Sequence, residues 1–358
     1  MLDLLYGQVA RWRRRAFERH PERRRRLARP VISVGNLSVG GTGKTPVVAA
    51  LARWLIAQGE RPAILSRGYG RAERVREVVV VADGLGTTAP LGRAGDEPLM
   101  LARAVPGAIV CVAASRHEAG LTAETTLGAT VHLLDDGFQH HRLARDLDVL
   151  VTTPGEIPGG HVLPRGRLRE PRDVAARADV LVVVGADAAA ARIEAERVGV
   201  VTACGASRTL GPPILLSTES SALSAPDSVL RAPCSSPVVA ACGIANPQRF
   251  IDDLTVAGWT VARAVTFADH HRFTSADIDR LARAVTESGA VAVVTTDKDA
   301  VRFEPLAPWP FALYRVPITI GFDPPDALFA CVAATLAAHR RSAVATPSGA
   351  SRAGGGHA

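Results

Sequence analysis

Lysine is almost absent from this chain. Of 42 basic residues only Lys44 and Lys298 are lysine, so positive charge is written as arginine nearly everywhere. A compact ammonium on a flexible stem is not equivalent to a planar guanidinium, which marks both survivors for a chemical task. Long hydrophobic runs are missing too. The longest, such as 180–184, are of strand length, far below the ~20 apolar residues needed to cross a bilayer. A secretory leader is not expected either, because the N-terminal apolar residues precede the basic ones, the reverse of a signal peptide. The five cysteines (111, 204, 234, 242 and 331) are odd in number, widely spaced and without a CxxC pair. That argues against a disulfide framework or zinc site and for reduced thiols in a cytosolic setting.

The net charge of +7 is local. Residues 1–30 hold ten arginines against Asp3, Glu18 and Glu22, while acids and bases balance over the remainder. The basic character is therefore one N-terminal patch. Within it, Leu2, Leu5, Tyr6, Val9, Trp12, Ala16 and Phe17 recur at helical spacing, with Arg11, Arg13, Arg14, Arg15 and Arg19 interleaved and Pro21 closing the segment. Such a helix either lies in a membrane interface or packs on a core beside a solvated charge run. No aromatic-and-basic platform accompanies it, so nucleic acid is not expected as a partner.

From Val31 strands and helices alternate, which predicts a parallel sheet flanked by helices on both faces. The expected fold is α/β, a P-loop NTPase-type sheet with a second, smaller α/β domain and an N-terminal amphipathic helix. The expected division is 1–30 for the basic helix, 31–230 for the P-loop core, 231–340 for the smaller domain and 341–358 for a disordered tail. The Ser/Pro/Ala-rich stretch 205–237 reads as the connection.

The strongest chemical signal is Ser38-Val-Gly40-Gly41-Thr42-Gly43-Lys44-Thr45, between a strand and a helix. Glycines let backbone amides wrap phosphates at a helix N-terminus, Lys44 neutralises them, and the Thr45 hydroxyl suits Mg²⁺. Ser38 replaces the first glycine of the usual phrase, and Gly40 and Gly41 keep the loop pliable. Next comes an apolar strand ending in Asp135-Asp136, followed by Gly137-Phe138-Gln139-His140. Acids at the carboxyl edge of a parallel sheet sit beside the P-loop, and two adjacent carboxylates call for a cation. Three weaker phrases leave alternatives open. Asp96 and Glu97 are a helix N-cap or functional carboxylates at a turn; Asp269-His270-His271 are a metal cluster, a dyad or a polar loop; Arg167, Arg169 and Glu170 are a phosphate clamp or a solvated turn.

Taken together, the phrases 35–46, 134–140, 166–171, 269–271 and 296–300 resemble the tetraacyldisaccharide 4'-kinase family, in order and over nearly the whole chain. The resemblance implies transfer of the γ-phosphate of ATP, with Mg²⁺, to the 4'-hydroxyl of an acylated glucosamine disaccharide 1-phosphate at the cytosolic face of the inner membrane. It implies Asp96 as proton acceptor, assisted by His270, itself positioned by Asp269. Asp135 and Asp136 with Thr45 would serve Mg²⁺. Arg169 and Glu170 would organise phosphate and metal, with Gln139 and His140 near them. No obligatory protein partner is expected. The rivals are a P-loop nucleotide switch, a nucleotide-binding membrane adaptor and a kinase for a soluble small molecule. The phrase 296–300 lacks the spacing of a guanine-reading motif, which disfavours the switch.

Overall fold

A computed structural model describes residues 2–68, 77–86, 89–216 and 236–345. Helix α1 (Leu2–Arg19) is followed by β1 (Val31–Gly35), α2 (Lys44–Ala57), β2 (Pro62–Ser66), β3 (Val79–Asp83), α3 (Leu91–Ala94) and α4 (Asp96–Ala104). Then come β4 (Ile109–Val112), α5 (Arg116–Thr125), β5 (Val131–Asp135), β6 (Leu147–Thr152), β7 (Val180–Val184), α6 (Ala188–Val198), β8 (Thr202–Leu210) and β9 (Ile214–Leu215). The last third holds β10 (Val238–Cys242), α7 (Pro247–Val256), β11 (Val261–Thr266), α8 (Ser275–Ser288), β12 (Ala292–Thr296), α9 (Asp297–Phe303), β13 (Leu313–Val316), β14 (Ile318–Asp323) and α10 (Asp326–Ala345).

Nine strands form the larger sheet in the order β14-β8-β7-β6-β1-β5-β2-β4-β3. The seven from β8 to β4 run parallel, and β14 and β3 are antiparallel edges. β1, β2, β4, β5 and β7 are buried at every residue, which explains their mostly apolar sequences: both faces are covered. The chain leaves β1 toward α2 and β2, while β6 lies on its other side, so strand order reverses beside β1. Ligands of such sheets collect at the carboxyl ends flanking that point. There the P-loop emerges from β1, and Asp135 pairs in register with Val34.

A second sheet, β11-β10-β12-β13-β9, packs α8 on one face and α7 on the other. The two sheets do not divide the chain at one point. Residues 205–210, placed in the connection from the sequence, belong to the nine-residue β8 (Thr202–Leu210), and β14 returns from the second sheet to pair with it. α10 then packs on the larger sheet, stacking Phe329 on Trp54 with ring centroids 4.9 Å apart. A tail disordered from 341 is corrected in part: α10 runs to Ala345, carried by its alanine-rich, helix-favouring sequence. Residues 217–235, with Cys234, and 346–358 lie outside the described residues.

Helix α1 is inverted relative to a core helix. Leu2, Leu4, Leu5, Val9 and Trp12 are exposed, Trp12 to 73%, while Gly7 and Arg14 are its buried residues. The core-packing alternative for its apolar face does not hold.

Candidate active site

Gly43 caps α2 at φ +90°, and Gly40 lies at φ +107°, backbone that residues with a Cβ rarely adopt. A Cβ at Gly40 would also run into the Arg167 guanidinium, which donates to Val39 O at 2.7 and 3.1 Å and so pins the loop. Under this cradle Asn36, fully buried, donates to Ser38 Oγ and Thr42 Oγ1 and accepts from Lys44 Nζ at 2.9 Å. Thr42 and Thr45 stand at the start of α2 with Gly41 exposed beside them.

Lys44 Nζ lies 3.3 Å from Asp136 Oδ1, an ion pair without hydrogen-bond alignment, and Arg169 donates to Asp136 Oδ2 at 2.7 Å. Gln139 donates to Asn36 O at 2.9 Å and to Glu170 Oε2 at 3.3 Å, and accepts from Arg169 at 3.4 Å. Glu170 is held chiefly elsewhere: Arg14 donates to both its oxygens at 3.1 and 2.7 Å, with His141 at 3.5 Å. Burial would raise the Glu170 carboxyl, but His141 and Arg14 drive it down to about 2. The half-buried His140 is pushed down to about 3, first by desolvation and then by the charges of Arg116, Arg145 and Arg67.

Asp135 behaves oppositely to its neighbour. Burial, then the charges of Glu97 and Asp136, push it up to about 7 despite Lys44 and Arg116. At Asp136 burial is outweighed by Lys44 and Arg169, which hold the carboxyl below its usual range. A buried acid raised this far, beside a carboxylate oxygen without a hydrogen bond, is the donor set a hard divalent cation suits. Asp135, Asp136 and Thr45 fit such an ion; Glu170, committed to Arg14, is poorly free to join them.

The second cluster joins residues far apart in sequence. Arg302 donates to Asp96 Oδ2 through Nε at 3.0 Å and Nη2 at 2.5 Å, and its Nη1 reaches Asp299 at 2.9 Å and Gly243 O at 3.0 Å. His270 Nδ1 meets the same Asp96 oxygen at 2.9 Å. Burial pushes the Asp96 carboxyl up, but the Arg302 hydrogen bonds and charge, with Lys298 and His270, reverse this and hold it below its usual range. Asp269 lies 4.0 Å from the imidazole; it accepts instead from the His270 backbone amide at 3.0 Å and from Lys298 at 3.3 Å. Asp136 (φ +53°) and His270 (φ +59°) are the non-glycine residues with left-handed backbone among those described, and both lie here. Such strain persists where the surroundings over-determine it, typically at functional sites. Glu97 bridges the clusters, acting on Asp135 while lying 3.8 Å from Lys298.

The family profile described as tetraacyldisaccharide-1-P 4'-kinase (LpxK) matches residues 1–337. The chain belongs to this family. It is accordingly a kinase of lipid A biosynthesis. Among relatives named tetraacyldisaccharide 4'-kinase, that of Anaeromyxobacter dehalogenans is 45% identical over 78% of this chain and 74% of its own. That of Geobacter sulfurreducens is 41% identical over 83% and 81%, and that of Koribacter versatilis 36% over 91% and 95%. The crystal structure of LpxK from Aquifex aeolicus in complex with ATP superposes with a TM-score of 0.74 at 27% identity, covering 94% of this chain and 97% of that one. Membership sets aside the nucleotide switch and the non-enzymatic adaptor.

Asn36, Arg302, Arg14, Arg116 and His141 were not given a role from the sequence. Asn36 lies inside the phrase 35–46, and Arg302 falls one helical turn after Lys298, so both had a signal. Arg14 had none, being one of ten arginines in residues 1–30.

Proposed function

We propose that this chain transfers the γ-phosphate of ATP to the 4'-hydroxyl of an acylated glucosamine disaccharide 1-phosphate, working from the membrane surface. The observation that carries the reading is the placement of the Asp96–His270 pair, 2.9 Å apart, beside a P-loop whose Lys44 faces Asp136.

The residues take these roles. Backbone amides of Gly40, Gly41, Thr42 and Gly43 wrap the phosphates, and Lys44 and Arg169 neutralise them. Asp135, Asp136 and Thr45 would hold Mg²⁺, which when bound shields phosphate charge and orients the transferring group. Gln139 and Glu170 tie Arg169 and the P-loop to α1. Asp96 Oδ2 is occupied by Arg302 and His270, whereas Oδ1 accepts one bond, from the Glu97 amide at 3.0 Å, leaving a lone pair for an incoming hydroxyl. The hydroxyl oxygen forms its bond to phosphorus as the bond to the β–γ bridging oxygen breaks, the proton passes to Asp96, and ADP leaves. A loose phosphoryl transition state asks little activation of the nucleophile, so a carboxylate of modest basicity suffices.

The acceptor carries acyl chains that stay in a bilayer, and no helix among the described residues is long and apolar enough to cross one. The exposed Leu2, Leu4, Leu5, Val9 and Trp12 of α1, flanked by arginines, provide an interfacial foothold. ATP supply places that surface on the cytosolic side. The test is purified protein with radiolabelled ATP and Mg²⁺ on the disaccharide lipid in mixed micelles. Labelled lipid is expected; ATP left intact with that acceptor would sink the reading.

A further inference from the structure

Lys298 is the second of the chain's two lysines, and the roles above do not use it. It lies on α9, four residues before Arg302 and on the same helix face. The helix is firmly seated. Its cap, Thr296 Oγ1, accepts from the Asp299 amide at 3.1 Å, and Asp299 accepts from Thr296 Oγ1 at 2.8 Å, the Gly243 amide at 3.0 Å and Arg302 at 2.9 Å. From this base Lys298 Nζ reaches His270 Nε2 at 3.1 Å, Asp269 Oδ1 at 3.3 Å and Glu97 Oε1 at 3.8 Å.

We infer that Lys298 is a positioning residue that fixes the tautomer of His270, with the proton on Nδ1 and the lone pair on Nε2. An ammonium carries donors only, so the nitrogen facing it must accept. The other nitrogen, 2.9 Å from Asp96 Oδ2, then carries the hydrogen and donates. The opposite tautomer would set an imidazole N–H against the ammonium and a lone pair against a carboxylate, two repulsive contacts in a half-buried site. The groups facing His270 include Asp96 from α4, Asp269 from its own loop and Lys298 from α9, with Arg302 behind Asp96 and Glu97 beside Lys298. With this tautomer donation runs one way, from Lys298 to His270 to Asp96, and Arg302 grips the carboxylate from the other side. The consequence for catalysis rests on the function proposed above: His270 keeps Nδ1 turned to Asp96 Oδ2, so Asp96 keeps Oδ1 turned to the substrate hydroxyl.

The test reads the tautomer directly, on the full chain with ¹⁵N-labelled histidine. Long-range ¹H–¹⁵N correlations separate a protonated from a bare ring nitrogen, and His270→Asn assigns the signal among ten histidines. The wild-type chain is expected to show Nδ1–H with bare Nε2, Lys298→Met to shift His270 toward Nε2–H or imidazolium, and Lys298→Arg, again donors only, to retain the native form. Lys298→Met is expected to lower kcat at least about tenfold with the KM for ATP unchanged, the split that disturbed orientation produces. Nε2–H in the wild-type chain overturns the inference even if the variants fail to fold, as does a folded Lys298→Met with an unaltered His270 signal. A chain showing the expected tautomer but no phosphoryl transfer supports this inference and refutes the proposed function instead.

Discussion

The two lysines stand in two differently built halves of one site. Around Lys44 the partners are close in sequence or on adjacent strands: Asn36, Thr42 and Asp136 at the carboxyl ends of β1 and β5. Around Lys298 the partners come from α4, the loop after β11 and α9, and the Arg302–Asp96 contact spans 206 residues. A phosphate cradle needs backbone amides and one helix end, which a short phrase encodes. A proton-handling pair needs burial and opposed charges, which here arise only where the second sheet meets the first. Arg302 is 8% exposed and Asp96 6%, so this contact is as dry as a core.

The comparison sharpens if each half is broken separately. Lys44→Ala removes the cradle's cation and is expected to abolish phosphoryl transfer in the micelle assay. Asp96→Ala is expected to lower kcat by at least about 10²-fold with ATP still bound, measured by single-turnover kinetics beside calorimetric titration. Unchanged turnover would remove Asp96 from the acceptor role.

Arg302→Ala tests whether the second half is also a structural clamp. It strands the buried Asp96 and Asp299 carboxylates, and losing one partner of such a buried group costs about 3–5 kcal/mol, read by denaturant unfolding. A loss below about 1 kcal/mol would show that solvent enters the junction. The first half has a different signature. Asp135 is raised from 3.8 to about 7, so the folded chain holds this proton more tightly than the unfolded one. The stabilisation is complete below about pH 4 and is lost as pH rises toward 7. A divalent cation offsets that loss, so the rise in Tm on adding Mg²⁺ should be several degrees larger at pH 8 than at pH 5. Asp135→Asn should erase the difference.

Smallest is the expected effect at α1. Trp12→Glu leaves the fold intact, since Trp12 is 73% exposed, and weakens sedimentation with anionic vesicles several-fold. Equal sedimentation of the variant would disconnect α1 from the membrane.

Legibility followed the same divide. The P-loop, the strand ending in Asp135 and Asp136, and the alternation of strands and helices could be read because their signals are short-range: glycine placement, apolar runs, spacing. Their family resemblance extended that reading to the acceptor. Asp96, His270 and Asp269 were named from the resemblance, but their contacts were not foreseen. Asp269 was expected to position His270; it lies 4.0 Å from Nε2 and accepts from the His270 amide and from Lys298. Glu170 was expected at the metal and is bound on both oxygens by Arg14. β8 was hidden in the apparent connection because its pattern is small and polar, Thr-Ala-Cys-Gly-Ala-Ser-Arg-Thr-Leu, and its strand state depends on β7 and β14.

The sequence by itself determined the cradle, its lysine and the parallel sheet that presents them, since each depends on neighbours within a turn or a strand. Only the tertiary structure decided which of forty arginines are buried, and so which carboxylates are gripped and which remain open to substrate and cation. A guanidinium in water and one sealed against Asp96 are written with the same letter, and burial, which sets the strength of its charge, is a property of the assembled chain.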